Sequence, residues 1–110
     1  MSVVAGLATE RHAPWEVSHA LWNPRMDLLA LASVDGQVAL ERALVSVWKK
    51  TWQVALADQE SASGRGANKS VEALAWSPDG RVLAVGTADG FVFLLDTETG
   101  EVRHSFRTNN

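Results

Sequence analysis

The sequence contains no cysteine and no tyrosine, and it has only three histidines and three prolines among 110 residues. Without cysteine the chain can form neither a disulfide nor a thiolate metal site, and it has no thiol nucleophile. No apolar run approaches the roughly 20 residues that span a bilayer. The segment that follows Met1 lacks the basic and apolar regions of a secretory signal. We therefore expect a soluble protein from a reducing, intracellular compartment.

Positive charge is scarce as well. Ten basic residues stand against thirteen acidic ones, giving a net charge of −3 at pH 7. The longest cationic run is Lys49-Lys50. A protein that binds nucleic acid or anionic lipid presents a basic stripe, so we expect no nucleic acid and no membrane among its partners. We expect no small-molecule substrate either, on the separate ground of the inner-strand residues considered below.

What the sequence does contain is an internal repeat with a spacing of 54 residues. Residues 17–24 align with 71–78, and LLALASVDGQVAL (28–40) aligns with VLAVGTADGFVFL (82–94). A chance match does not keep tryptophan, proline, aspartate and glycine in register together. The identical pairs include Trp22/Trp76, Pro24/Pro78, Asp35/Asp89 and Gly36/Gly90.

Each copy has the pattern of four short strands in an antiparallel meander. The turns are marked by residues such as Ser77-Pro78-Asp79-Gly80 and Asp89-Gly90. The apolar run Val82–Gly86 predicts a central strand that is buried on both faces. The predicted strands are 17–22, 27–33, 37–42 and one within 45–54, then 71–76, 81–87, 91–96 and 101–106. We expect one domain over 1–110, made of a first unit at 17–54, a loop at 55–70 and a second unit at 71–106.

These segments carry a family resemblance. Residues 74–96 (LAWSPDGRVLAVGTADGFVFLLD) resemble the core of a WD repeat, although Leu95-Asp96 stands where Trp-Asp is usual. Together with WNPRMDLLALASVDGQVAL (22–40), Val47-Trp48 and HSF (104–106), they are similar to the N-terminal propeller region of the anaphase-promoting complex subunit 4 family. The resemblance covers about residues 15–106 and implies an all-β fold with two four-stranded antiparallel WD-repeat β-propeller blades.

Two blades make an incomplete propeller, because closed rings have typically four to eight. Open blade faces and strand edges are an aggregation hazard, so we expect a fragment, a truncated product or a self-assembling piece. Arg42-Ala43-Leu44 departs from the family pattern, which predicts that residues 44–56 pair differently from a standard outer strand.

The resemblance implies a non-catalytic scaffold subunit of the anaphase-promoting complex, a multi-subunit cell-cycle E3 ubiquitin ligase of the nucleus and cytoplasm. Its partners would be other protein subunits, above all the platform subunits of the ligase. The alternative is a generic WD-repeat adaptor of another assembly. A propeller enzyme or small-molecule binder would need charged or metal-binding side chains at the starts of the inner strands, where only Ser18, His19 and Glu72 are available.

The sequence predicts no catalytic residue, no cofactor site and no metal site. Each histidine is isolated from a second ligand at metal-binding spacing; the three are His12, His19 and His104. Five aspartates lie at turns or strand ends, where hydrogen bonds to nearby backbone are expected: Asp27, Asp35, Asp79, Asp89 and Asp96. In Gly64–Ser70 the residue before Lys69 is Asn68, not the glycine of a phosphate-binding loop.

The five tryptophans are numerous for the length. Trp22 and Trp76 are related by the repeat and are predicted to lie in the core. Trp48 and Trp52 are four residues apart, a spacing that places them on one face of a strand or helix. With Lys49-Lys50 between them, they form either a ridge that binds a partner or a packing pair within the outer strand.

Overall fold

The computed structural model describes residues 16–44, 47–56 and 69–108. Eight strands form two four-stranded antiparallel sheets with the orders β1-β2-β3-β4 and β5-β6-β7-β8. Each sheet is an up-and-down meander, as the sequence predicts. The strands are β1 (Val17–Trp22), β2 (Leu28–Ser33), β3 (Gln37–Ala43), β4 (Trp48–Ala55), β5 (Val71–Trp76), β6 (Val82–Thr87), β7 (Phe91–Asp96) and β8 (Val102–Arg107).

In the three described ranges no helix is long and apolar enough to cross a membrane. The predicted loop at 55–70 falls for the most part on residues 57–68, which lie outside the described residues.

Turn chemistry fixes the strand ends. The glycines that close four turns all have positive φ, a region that side chains other than glycine rarely adopt: Gly36, Gly80, Gly90 and Gly100. The first turn has no glycine. There the side-chain Oδ1 of Asn23 accepts hydrogen bonds from the backbone N–H of Arg25 (2.8 Å) and Met26 (3.0 Å). An asparagine side chain therefore replaces the glycine turn of the second copy.

The repeat extends to irregularities in the sheets. The register of β1 against β2 shifts between Val17 and His19, and that of β5 against β6 shifts at the equivalent residues Val71 and Ala73. The outer strands also match each other, because β3/β4 shifts at Leu40/Glu41 and β7/β8 shifts at Leu94/Leu95. The prediction that residues 44–56 pair unlike a standard outer strand was therefore wrong, since β4 keeps the pairing that β8 has.

The main core lies between the two sheets. The first sheet contributes alternate residues of β2 and β3, and the second contributes alternate residues of β6 and β7, so the period of two in each strand sets the contact face. The members are Leu28, Ala30, Ala32, Val38, Leu40, Trp52, Leu56, Val71, Leu83, Val85, Phe91, Phe93 and Leu95. Each large apolar side chain buried here stabilises the fold by roughly 1.5–3 kcal/mol. Ala30 and Ala32 are fully buried in this core, where their small side chains leave room for residues of the second sheet.

The two central strands differ in burial. Every residue of β2 is buried, whereas β6 alternates between buried and half-buried residues. The prediction of burial on both faces was wrong for Val82–Gly86, because only the face with Leu83 and Val85 meets the first sheet. The other face of β6, which carries Ala84, stays half-exposed.

Candidate protein-interaction site

Within the described ranges, four side-chain hydrogen bonds join the two sheets at one end, and two of them come from the first turn. The buried Asn23 donates through Nδ2 to the Gly80 carbonyl at 2.9 Å, and Arg25 donates through Nε to the Pro78 carbonyl at 3.3 Å. A Cβ on Gly80 would lie 2.5 Å from Asn23 Oδ1, so the second sheet's turn is shaped to receive the Asn23 amide. The sequence does not single out Asn23 for this role. Its sequence signal is weak, because the equivalent position holds Ser77.

Trp52 forms the second part of this joint. The indole is buried in the main core, and its Nε1 donates to the Thr97 carbonyl at 2.7 Å. The ring lies against Gly100, where an added Cβ would be 2.6 Å from Trp52 Cδ2. Trp52 is therefore a packing residue between the sheets and not part of a partner-binding ridge.

Trp48 does not share a face with Trp52, so that prediction was wrong. Trp52 belongs to the main core, whereas Trp48 packs against a second cluster on the opposite face of the first sheet, formed by Val17, Leu29 and Leu31. The register shift beside Leu40 explains the change, because one extra residue in β4 reverses the alternation between the two tryptophans.

The repeat-related tryptophans also differ. Trp76 packs against the main core and donates through Nε1 to the Leu21 carbonyl at 3.1 Å. Trp22, predicted to be a core residue, is 42% exposed and lies with its ring centroid 5.8 Å from that of Trp48. The prediction was therefore wrong for Trp22. Trp76 packs on the face of its sheet that meets the first sheet, whereas Trp22 has no such neighbouring sheet among the described residues.

A partly buried ion pair lies at the start of the second sheet. Lys69 donates through Nζ to Asp89, which also accepts a hydrogen bond from the Thr87 hydroxyl. The Lys69 ammonium lies 4.2 Å from the centroid of the Phe91 ring, a cation–π contact. Burial raises the pKa of Asp89, but the hydrogen bonds from Lys69 and Thr87 and the charge of Lys69 outweigh it, so the pKa is lowered. Sequence reasoning missed this role of Lys69, because nothing local marks a buried lysine.

Asp79 and Asp96 make the hydrogen bonds to turn backbone that the sequence predicts, whereas Asp89 binds the side chains of Lys69 and Thr87. Asp79 accepts hydrogen bonds from the Ser77 hydroxyl at 2.6 Å and the Arg81 backbone N–H at 3.0 Å, which lower its pKa. Asp96 accepts from the backbone N–H of Glu98 at 2.8 Å. Ser77 is itself held by the turn, because its Oγ accepts from the Val82 N–H at 3.1 Å.

The histidines lie apart. His19 is half-buried beside Ser18, whose Oγ is 3.0 Å from His19 Nδ1, and His104 is exposed on β8. His12 and Trp15 lie outside the described residues. Glu72, the third candidate at the inner strands, is exposed. Among the described residues no group of three or more histidine, aspartate or glutamate side chains is arranged to hold a metal ion.

Among the described residues, two partly apolar surfaces are open to partner proteins. One is the outer face of the second sheet, where half-exposed apolar residues lie around the small residues Ala84 and Gly86, and where Phe106 is 49% exposed. The other is the pair of outer strands β4 and β8. They border a groove lined by Val54, Thr99, Gly100, Glu101 and Val102.

Comparison with known proteins gives the architecture a family. Residues 20–110 match the model of the anaphase-promoting complex subunit 4 WD40 domain. The chain is 37% identical over 98 residues to anaphase-promoting complex subunit 4 of Mus musculus and 35% identical over 98 residues to that of Homo sapiens. It is 40% identical over 96 residues to Abnormal embryogenesis protein 30 of Caenorhabditis elegans. These alignments cover 86% to 88% of the chain but only 9% to 11% of the relatives, so the chain spans about a tenth of their length.

A solved structure supports the fold independently. The β-propeller domain of Cps50 (Swd1) from Myceliophteria thermophila superposes with a TM-score of 0.66 at 23% identity, over 86% of this chain and 26% of that one. The two sheets are thus two blades of an incomplete WD-repeat propeller. Because the family model matches most of its length and the repeat, turns and blade packing agree with it, the chain belongs to the anaphase-promoting complex subunit 4 WD40 family.

Proposed function

We propose that this chain is part of a non-catalytic scaffold subunit of the anaphase-promoting complex, a multi-subunit cell-cycle E3 ubiquitin ligase, and that it acts through protein–protein contacts. The observation that carries the proposal is the family match over residues 20–110. Its partners are other protein subunits of the complex, above all the ligase's platform subunits, and its location is the nucleus and cytoplasm.

The chemistry of the described residues supports a scaffold. Three of the described carboxylates are engaged in holding the fold: Asp79 and Asp96 bind turn backbone, and Asp89 binds Lys69. We assign no catalytic, cofactor-binding or metal-binding residue. The surfaces that remain are broad and partly apolar, which suits packing against further protein.

We also propose a division of the chain into a first blade at 17–54, a connection at 55–70 and a second blade at 71–106. The half-exposed outer face of the second blade is then the seat of a third blade. The packing between the two blades supports this proposal, because the equivalent face of the first blade is covered by the second blade.

The test is purification of the protein from cells through a tag added at its native locus, followed by mass spectrometry. We expect stoichiometric recovery of the other subunits of the anaphase-promoting complex. A matched sample carrying Leu95→Glu, which disrupts the blade interface, should lose them. Recovery of a different assembly, with none of the ligase subunits, would favour the generic WD-repeat adaptor and contradict the proposal.

A further inference from the structure

The charges of this chain are segregated by strand position. The outer strands β4 and β8 carry four cationic side chains and no carboxylate: Lys49, Lys50, Arg103 and Arg107. The other described residues carry ten carboxylates against four cations. An acidic protein has therefore placed half of its described cations on the two strands that form the outer rim of the blades.

All four cations are exposed, although two of them make contacts within the fold. Lys50 Nζ donates to Gln53 Oε1 at 2.8 Å, and the Arg107 guanidinium lies 5.2 Å from the centroid of the Phe91 ring. Arg103 is 52% exposed, and its only ion-pair contact among the described residues, to Asp96, is at 4.0 Å. Across the β3/β4 pair, Lys49 lies directly opposite Arg42. Like charges at opposed positions destabilise a sheet, and within the described ranges neither residue has an ion-pair partner. An anion bound here would relieve that repulsion.

The backbone and the groove favour an extended protein segment as the anion. β4 and β8 are the last strands of their sheets, so each presents an unpaired edge to which a peptide strand can add. Between them lies the groove that contains Val54 and Val102, which are partly buried against the main core. An aliphatic side chain fits that floor. Glu101 is the single carboxylate in the groove lining.

Nucleic acid fits this surface less well. A polyanion that extends beyond the two outer strands meets the excess of carboxylates on the rest of the described surface. It also cannot pair with the exposed N–H and C=O groups of a strand edge as a peptide does. The segregated charge, the opposed Arg42 and Lys49 and the open strand edges all point to one kind of ligand.

We propose that the outer strands β4 and β8 form a basic docking surface for an acidic, extended segment of a partner polypeptide that carries an aliphatic side chain. The inference rests on the proposed function for the identity of the partner, which would be another subunit of the same complex. Rim charges act mainly by steering the partner and by setting the salt dependence of association.

The test is photo-crosslinking within the intact assembly. Benzoylphenylalanine replaces Thr51, an exposed residue of β4, in the tagged protein expressed from its native locus, and mass spectrometry identifies the crosslinked peptide. We expect an acidic segment of a second polypeptide. Its yield should fall about five-fold with Lys49→Glu. The matched control Arg81→Glu makes the same charge change on an exposed residue of the second sheet that belongs to neither β4 nor β8, and it should leave the yield unchanged.

Four results would overturn the inference: no crosslink, a crosslink to a neutral or basic segment, a crosslink to nucleic acid or to this chain itself, or an equal loss of yield in both variants. The two proposals fail separately. Recovery of the ligase subunits without the acidic crosslink contradicts only the docking surface. An acidic crosslink within a different assembly contradicts the proposed function and leaves the docking surface standing.

Discussion

The two blades share a sequence pattern, a strand order and even the positions of their register shifts, yet they differ in how they are buried. In the first blade every residue of β2 is buried, whereas in the second blade only alternate residues of β6 are. The difference is also visible at equivalent side chains. Glu41 and Leu95 occupy the same place in the repeat, and both are fully buried. The burial of a residue in a blade therefore depends on the neighbouring structure as well as on the position of that residue in the repeat.

The largest effect on stability is expected at Leu95, when it is replaced by glutamate, the residue at the equivalent position of the first blade. Leu95→Glu places a carboxylate in the main core between the two blades, of which Leu95 is a fully buried member. We expect a loss of more than about 4 kcal/mol in the free energy of unfolding, because a buried charge is added and apolar contact is lost. Urea unfolding followed by tryptophan fluorescence measures it.

The control is Leu95→Met, which keeps the volume and should cost less than about 1.5 kcal/mol. A small effect of Leu95→Glu, similar to that of the methionine variant, would show that the inter-blade core is not the main source of stability.

The next largest effect should come from removing tryptophans of the first blade, which differ in whether the second blade covers them. Trp52→Ala deletes a buried ring and leaves the Thr97 carbonyl without its donor, so we expect a loss of about 3–5 kcal/mol. Trp22→Ala should cost about 1 kcal/mol, because the ring is 42% exposed. Thermal melts of the two variants provide the comparison. Equal losses would refute the assignment of Trp52, and not Trp22, to the core.

The sequence was sufficient to predict the strands, because alternation and turn glycines are local signals. β1, β5 and β7 have the predicted bounds, and β6 differs by one residue. The two-blade fold followed from the repeat and from the family resemblance. What the sequence could not supply was the identity of the neighbour on each face. That is why Val82–Gly86 was predicted to be buried on both faces and Trp22 was predicted to be in the core.

The candidate site was less predictable for a related reason. The register shift between Trp48 and Trp52 places them on opposite faces, and a bulge of one residue has no clear signature in a run such as WKKTW. Lys69 and Asp89 are twenty residues apart in the sequence and come together only in the folded chain. The basic docking surface could not be predicted without the sheet order either. Its four cations lie on two strands that are far apart in sequence, and only the topology shows that both are edge strands.

A smaller effect should follow from making the first turn resemble the second. Asn23→Ser installs the residue found at the equivalent position, Ser77. The hydroxyl can still serve the turn, but it does not reach the Gly80 carbonyl that the Asn23 amide binds at 2.9 Å. We expect a loss of about 1–2 kcal/mol, measured by chemical denaturation. Pro24→Ala, an exposed change in the same turn, serves as the control, and a larger loss there would assign the stability to the turn instead of the joint.

The smallest effect should be on the free energy of unfolding at acidic pH. It concerns Asp89 of the second blade, whose equivalent in the first blade is Asp35. The pKa of Asp89 is lowered in the folded chain by its bonds to Lys69 and Thr87. A carboxyl group with a depressed folded pKa stabilises the native state above its unfolded pKa, near 3.8, and that contribution is lost as the pH falls through the folded value. The decline therefore lies below about pH 4. Unfolding measured from pH 7 to pH 2 should become less acid-sensitive in Asp89→Asn. Asp35, the equivalent residue of the first blade, has no ion pair among the described residues. Lys69→Gln removes the other partner of the Lys69–Asp89 pair and should also make unfolding less acid-sensitive. An acid profile unchanged by both substitutions would contradict a stabilising role of this pair.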